Sequence, residues 1–190
     1  MKDPSKYYFN KKIRWANAGK HYDWDNRCYF KDPGSSVPAL FKNLASEAAA
    51  ILTSNSFYPE AMITNYYGVK DTMGGHLDDG EPDQEHPILS FSLGLSCVFL
   101  MGGHTKSVEP WPVKLNSGDL VIMSKDARRC YHGVPRILEN SFNIAFDQNL
   151  EETKEDDDEP GVNNLQNAAN FLKEHRINFN FRQVTNHNPY

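Results

Sequence analysis

The sequence predicts a mainly β fold with flanking helices (α+β), of the sandwich or jelly-roll kind. Five short runs rich in β-branched and aromatic residues follow one another between residues 61 and 147, broken by Gly-Leu, Gly-Gly and Ser-Gly-Asp. A sixth run, RINFNFR (176–182), alternates apolar and polar side chains with period two. Two stretches, 38–52 and 162–175, space their apolar residues as helices do.

Along the chain, residues 1–35 form a basic, aromatic arm, with eight Lys/Arg against three Asp in 1–31. PALFKNLASEAAAIL (38–52) reads as a helix, with Ser36 and Pro38 as start signals and Leu40, Leu44, Ala48 and Ile51 on one face. The strands are AMITNYY (61–67), PILSFSL (87–93), SCVFLM (96–101), DLVIMS (119–124) and SFNIAFD (141–147), so the β core is expected over 60–150 and 176–185. EETKEDDDE (151–159) holds seven acids and one lysine, and 151–161 reads as an acidic loop. The helix at 162–175 lines up Val162, Leu165, Ala169 and Leu172.

A chain of 190 residues suits one domain, 1–190, with a core of useful size. Mean hydropathy is −0.65, and no apolar run approaches the roughly 20 residues of a membrane span. The start, MKDPSKYYFNKK, has no apolar segment of the secretory kind. Cys28, Cys97 and Cys130 are widely spaced and form no CxxC, which predicts free thiols in a reducing, intracellular compartment. Net charge is −5, yet the acidic run accounts for all of the excess, and the arm is basic. That asymmetry points to a polyanion near the arm.

The candidate chemistry centres on TMGGHLDDGEP (72–82). On a strand, residues i and i+2 point the same way, so His76 and Asp78 can share one ion. His132, in RRCYHGVPRI, is the best third ligand; His104 in GGHTK and His86 before a proline read as surface loops. Two histidines and one carboxylate leave half of an Fe(II) coordination sphere open, whereas structural zinc closes four positions. In RINFNFR, Arg176, Asn178, Asn180 and Arg182 share one face, which suits a pocket wall for a dianion because guanidinium grips carboxylate at two points.

Together these segments resemble the AlkB family of Fe(II)- and 2-oxoglutarate-dependent dioxygenases, from about residue 13 to 185. NYYGVKDTMGGHLD, PILSFSLGLSCVFLMGG, SGDLVIMS, RRCYHGVPRI and RINFNFR occur in the family's order, with Asn180 where the family usually has Thr. IRWANAGKHYDWD is similar to the eukaryotic AlkB homolog-one branch. The resemblance implies a double-stranded β-helix (jelly roll) with an N-terminal nucleotide-recognition lid. It implies iron on His76, Asp78 and His132. Asn65, Tyr67, Arg176 and Arg182 would hold 2-oxoglutarate, with Asn178 and Asn180 supporting that wall. Tyr67 and Arg176 would face the distal carboxylate, and Asn65 and Arg182 the chelating one. Trp15 would stack on a flipped base opposite His76, and Tyr22 would meet the nucleic-acid backbone. Repair members have an acidic base contact where this chain has Gly80, which leaves Glu81 or Asp79 as substitutes.

The implied activity is oxidative demethylation of N-methylated nucleobases, using Fe(II), 2-oxoglutarate and O2. Candidate substrates are N6-methyladenine in DNA, 1-methyladenine in tRNA and N-alkyl lesions. Expected partners are DNA or RNA, without a membrane, for a monomer. A protein or small-molecule hydroxylase on the same fold is the alternative enzyme, and an inert nucleic-acid-binding module the alternative outside catalysis.

Overall fold

A computed structural model describes residues 13–142, except 24, 27, 31–34, 54–55 and 83, and residues 160–185. The described elements run β1 (Trp15–Gly19), β2 (Tyr22–Asp23), β3 (Cys28–Tyr29), α1 (Ala39–Thr53), β4 (Ala61–Gly68), β5 (Met73–His76), β6 (Ile88–Gly94), β7 (Cys97–Met101), β8 (Trp111–Leu115), β9 (Leu120–Met123), a 3-10 turn (Lys125–Arg129), β10 (His132–Ile137), α2 (Pro160–Glu174) and β11 (His175–Arg182). One sheet has the order β1-β4-β11-β6-β9 and a second β5-β10-β7-β8, with β2 and β3 as a separate hairpin. Every pairing is antiparallel.

Two apolar clusters follow from the strand alternation. Tyr67, Ile88, Cys97, Phe99, Leu115, Met123 and Val134, drawn from both sheets, fill the space between them. Met62, Leu89 and Phe181 point the other way, onto Ala45 and Ala49 of α1. β11 therefore turns its phenylalanines toward the helix and its arginines and asparagines into the sandwich. Phe181 is sealed by Phe41 at 6.2 Å and Phe91 at 5.6 Å between ring centroids.

Several expectations need correction. α1 does not bury the face of Leu40, Leu44 and Ile51, which are 76%, 45% and 79% exposed. The inward face is Phe41, Ala45, Ala48 and Ala49, because small residues let the helix backbone approach the sheet while Phe41 fills the remaining gap. Residues 160–161 of the expected acidic loop begin α2, and the rest of that loop lies outside the described residues. Of the expected strand at 141–147, residues 141–142 are not in a strand and 143–147 lie outside the described residues.

Strands β8 and β10 went unanticipated because they read WPVKL and HGVPRI, and of β5, which reads MGGH, only its end at His76 was expected to be strand. Glycine and proline depress the local strand signal, yet both are tolerated here. β8 is an edge strand, where Pro112 forfeits no needed ladder bond. Pro135 sits where the β10–β7 register shifts between Gly133 and Arg136. Gly94 holds φ +80 between β6 and β7, and a Cβ there would lie 2.2 Å from the His175 carbonyl, so this reversal requires glycine.

Truncating Phe181 to Ala should cost about 3–5 kcal/mol of unfolding free energy, read from the denaturant midpoint at constant m-value. A loss under about 1 kcal/mol would mean that α1 does not depend on this contact.

Candidate metal centre and its pocket

Register assembles the site. β11 lies between β4 and β6, pairing Arg176 with Tyr67 and Asn178 with Asn65 on one side. On the other side Asn178 pairs with Ser92 and Asn180 with Ser90. Directly opposed residues point to the same face, so these polar side chains converge on the inner surface of the five-stranded sheet. The second sheet supplies the metal donors: His76 ends β5, His132 begins β10, and the two are register partners.

His76, Asp78 and His132 place their ligand atoms within 4.8 Å of one another. His76 Nε2 is 3.7 Å from Asp78 Oδ1, and His132 Nε2 is 3.6 Å from Asp78 Oδ2. The other ring nitrogens are committed: His76 Nδ1 lies 3.0 Å from the Gly74 carbonyl and His132 Nδ1 3.2 Å from the Cys130 carbonyl. A carbonyl can only accept, so each Nδ1 bears the proton and each Nε2 turns a lone pair inward. No fourth His, Cys, Asp or Glu joins the cluster among the described residues. The donor set fits an octahedral ion with three positions left open, and not a closed zinc site.

The expectation that His76 and Asp78 share a strand needs correction. Asp78 lies two residues beyond β5 and is held from outside. Arg182 Nη2 is 3.0 Å from Asp78 Oδ2, and Arg128 Nη1 donates to the Asp78 backbone carbonyl. Burial alone would push the Asp78 carboxyl up, but Arg182 overrides it and holds Asp78 well below the usual carboxylate range. Burial would lower the Arg182 guanidinium, and Asp78 and Glu81 instead raise it well above its ordinary value. Both groups stay charged at any working pH.

A cavity of about 460 Å3 opens between the sheets. Its lining includes Asn65, Tyr67, His76, Asp78, His132, Arg176, Asn178, Asn180 and Arg182, so nine of the residues singled out from the sequence meet there. Arg176 is 1% exposed and donates to Ser92 Oγ (2.8 Å) and the Leu95 carbonyl (3.5 Å). No carboxylate pairs with it among the described residues, and its Nε is buried without a partner. Burial lowers its pKa. Tyr67, its cross-strand neighbour, is pushed up to about 12 by burial and stays a neutral donor. Asn178 Nδ2 donates to Ser90 Oγ at 2.7 Å, and Asn180 Nδ2 to Asn178 Oδ1 at 2.8 Å.

Tyr22 also lines the cavity, at its Gly80 side. A Cβ on Gly80 would lie 2.5 Å from the Tyr22 ring, so the tyrosine fills the space a side chain at 80 would need. Trp15 and Glu81 are not brought to the lining. Trp15 opposes Asn65 and shares its face, but it sits one strand further out, on the sheet's edge, and is 44% exposed. Glu81 is 3% exposed and fully engaged: Arg128 Nη2 donates to its Oε2 (2.7 Å), and Arg182 Nη1 (2.7 Å) and Tyr29 OH (2.6 Å) donate to its Oε1. Held by three donors and absent from the cavity lining, Glu81 does not face the pocket. Sequence reasoning missed Arg128, Tyr29, Ser90 and Ser92. For the serines a signal existed, since Ser90 and Ser92 alternate in ILSFSLG as Asn178 and Asn180 do in RINFNFR. Arg128 and Tyr29 are 47 and 52 residues from Glu81 and gave none.

A family model described as the 2OG-Fe(II) oxygenase superfamily matches residues 1–182. A DNA N(6)-methyladenine demethylase, ALKBH1A of Arabidopsis thaliana, is 41% identical over 180 residues, covering 92% of this chain and 49% of that protein. The human nucleic acid dioxygenase ALKBH1 is 36% identical, covering 91% and 46%. The tRNA demethylase abh1 of Schizosaccharomyces pombe is 33% identical, covering 92% and 54%. The chain thus spans about half the length of the curated relatives it matches. The solved structure of OsALKBH1 shares the fold at a TM-score of 0.69 and 22% identity, covering 89% of this chain and 77% of that one.

Replacing Glu81 with Leu should lower stability by about 3–5 kcal/mol, because it strands two buried guanidinium groups. Tyr29→Phe removes only one donor and should cost about 1 kcal/mol, with faster amide exchange confined to the β2–β3 hairpin. Equal effects of the two variants would contradict this hierarchy.

Proposed function

The chain belongs to the 2OG-Fe(II) oxygenase superfamily, and from that premise we propose that it is the core of an Fe(II)- and 2-oxoglutarate-dependent dioxygenase that demethylates N-methylated nucleobases in DNA or RNA. The observation that supports the co-substrate is Arg176. A guanidinium 1% exposed, on a pocket wall and without a carboxylate partner among the described residues, is costly unless an anion completes it. The two inward Nε2 lone pairs and Asp78 supply a donor set that suits Fe(II). Iron and 2-oxoglutarate, when bound, would supply the activation of O2 that oxidises an N-methyl carbon, which leaves as formaldehyde.

The chain's own residues would orient and exclude. Arg176 and neutral Tyr67 take the distal carboxylate of 2-oxoglutarate, since one offers paired N–H donors and the other a phenol proton. Arg182 stays locked on Asp78 and Glu81, so it fixes the ligand carboxylate and presents its remaining edge to the chelating end, beside Asn65. Asn178 and Asn180, tied to Ser90 and to each other, keep that wall rigid. Phe99, Leu115, Met123 and Val134 add an apolar stretch to the lining that disfavours water there. His76, whose side chain is 36% exposed, faces the mouth, where an extruded base would arrive with Tyr22 on its other side.

The nucleic-acid reading draws on the activities for which the relatives are named and on the basic, aromatic arm. N6-methyladenine in DNA and 1-methyladenine in tRNA lead the substrates, ahead of N-alkyl lesions, because Tyr22 fills the space beside Gly80 where repair members resembling this chain carry an acid. No helix among the described residues is long and apolar enough to cross a membrane. We take the protein to act as an intracellular monomer with free Cys28, Cys97 and Cys130; light scattering of the purified protein tests the monomer, and imaging of a tagged full chain tests the compartment.

Incubation with Fe(II), 2-oxoglutarate and oligonucleotides bearing each methyl mark should yield succinate coupled to methyl loss by mass spectrometry. Absence of succinate with every substrate defeats the enzyme reading, and succinate coupled only to peptide oxidation defeats the nucleic-acid one. Asp78→Ala should abolish turnover with the fold intact by circular dichroism. Arg176→Ala should raise the KM for 2-oxoglutarate about 30-fold or more. Tyr22→Ala should weaken oligonucleotide binding more than Trp15→Ala does.

A further inference from the structure

On the outer face of the β5-β10-β7-β8 sheet lies a second cavity of about 450 Å3. It touches the first without being part of it: Met73, Gly74, His132 and Gly133 line both. Its floor is glycine. A Cβ on Gly74 or Gly75 would meet nothing within 4 Å, so these positions leave open space in the cavity. Its far wall is the 102–110 loop. That loop is anchored to Tyr131 by Gly102 N to the Tyr131 carbonyl (2.7 Å) and Tyr131 N to the Gly103 carbonyl (2.9 Å), and Val108 packs over Gly103. The wall is therefore preorganised. It presents one full charge: Lys106 Nζ stands 5.4 Å from the centre of the Tyr131 ring. No carboxylate lines this cavity among the described residues, and Thr72 and Thr105 add hydroxyls.

We infer that this groove is a subsite for the nucleotide next to the target base, with its phosphate on Lys106 and its base or sugar against Tyr131. The inference rests on the nucleic-acid reading above and extends it from one base to a strand direction. Three features select that occupant. An aromatic face beside a cation is the pairing that single-stranded nucleic acid uses. A glycine floor admits a bulky sugar-phosphate backbone at close range. Contact with the metal-centre pocket through Met73, Gly74, His132 and Gly133 places the groove one step along the chain from a base seated over the metal centre, whereas a free small molecule would gain nothing from that adjacency.

The test is a length series in competition against a fluorescein-labelled single-stranded oligonucleotide. The competitors are N6-methyl-dAMP, then di- and trinucleotides extended on the 5′ or the 3′ side. The unaltered chain, loaded with Mn(II) and 2-oxoglutarate, should gain about tenfold in affinity for extension on one side only. Lys106→Glu and Tyr131→Ala should abolish that gain, with unchanged melting temperatures, and Lys106→Arg should keep it. The salt slope for the longer competitor should fall by about one in Lys106→Glu. Equal gain on both sides, or gain that survives both Lys106→Glu and Tyr131→Ala, overturns the subsite while leaving the demethylase reading intact. Failure of every competitor, together with methylation-independent succinate release, overturns both readings.

Discussion

Glu81 takes Arg128 on one carboxylate oxygen and Arg182 and Tyr29 on the other, all in a region closed to solvent. Arg182 reaches on to Asp78, and Arg128 holds the Asp78 backbone. This interlock of two carboxylates and two guanidinium groups does what secondary structure does not, since Asp78 lies beyond the end of β5 and has no ladder to position it. The same interlock joins three parts of the chain: the β2–β3 hairpin through Tyr29, the turn before β10 through Arg128, and the last strand through Arg182. Each of its charges is buried, and none is tolerable alone. The geometry of the His76, Asp78 and His132 cluster, the pocket wall and the seating of the hairpin are thus linked through Glu81 and Arg182.

Against that closed set of charges, Arg176 is conspicuous for its incompleteness. It lies on the same face of β11, six residues before Arg182, and is equally sheltered, yet its partners are a serine hydroxyl and a backbone carbonyl. One strand therefore presents two arginines with opposite electrostatic roles. One is neutralised by two carboxylates, and the other has no carboxylate partner among the described residues. The lowered pKa of Arg176 and the raised pKa of Arg182 express the same contrast. It sets a direction along the cavity, with the uncompensated cation Arg176 towards one end and the His76, Asp78 and His132 cluster towards the other.

Gly80 shows how a single missing side chain reshapes such a site. The ring of Tyr22 occupies the volume that any side chain at 80 would claim, and its neighbour Tyr29 stacks edge-on at 5.0 Å while reaching Glu81. The aromatic hairpin can approach the metal centre because residue 80 has no Cβ. The Gly80 side of the cavity accordingly carries the Tyr22 ring together with Asp79, and the other adjacent acid, Glu81, is withdrawn into the charge interlock.

Much of this was legible in the amino-acid order. Runs of β-branched and aromatic residues marked β4, β6, β7 and β9, period-two alternation marked β11, and the polar face of RINFNFR announced a pocket wall, because composition and periodicity are local properties of the chain. His76, Asp78, His132, Asn65, Tyr67, Arg176 and Arg182 stood in motifs of a fixed order, and the structure brings all seven to one cavity. What the sequence did not contain was decided by packing. The orientation of α1 depended on how closely Ala45 and Ala49 let it approach Phe181, which no helical pattern of Leu40, Leu44 and Ile51 could reveal. Strands β5, β8 and β10 exist because neighbouring backbones pair with them, despite glycine and proline in their own sequences. The fates of Glu81 and Trp15 were likewise tertiary. Burial beside two distant arginines removed one from the pocket, and an edge position in the sheet removed the other. Local periodicity is written residue by residue, whereas the pairing of charges 47 to 101 positions apart exists only once the chain has closed on itself.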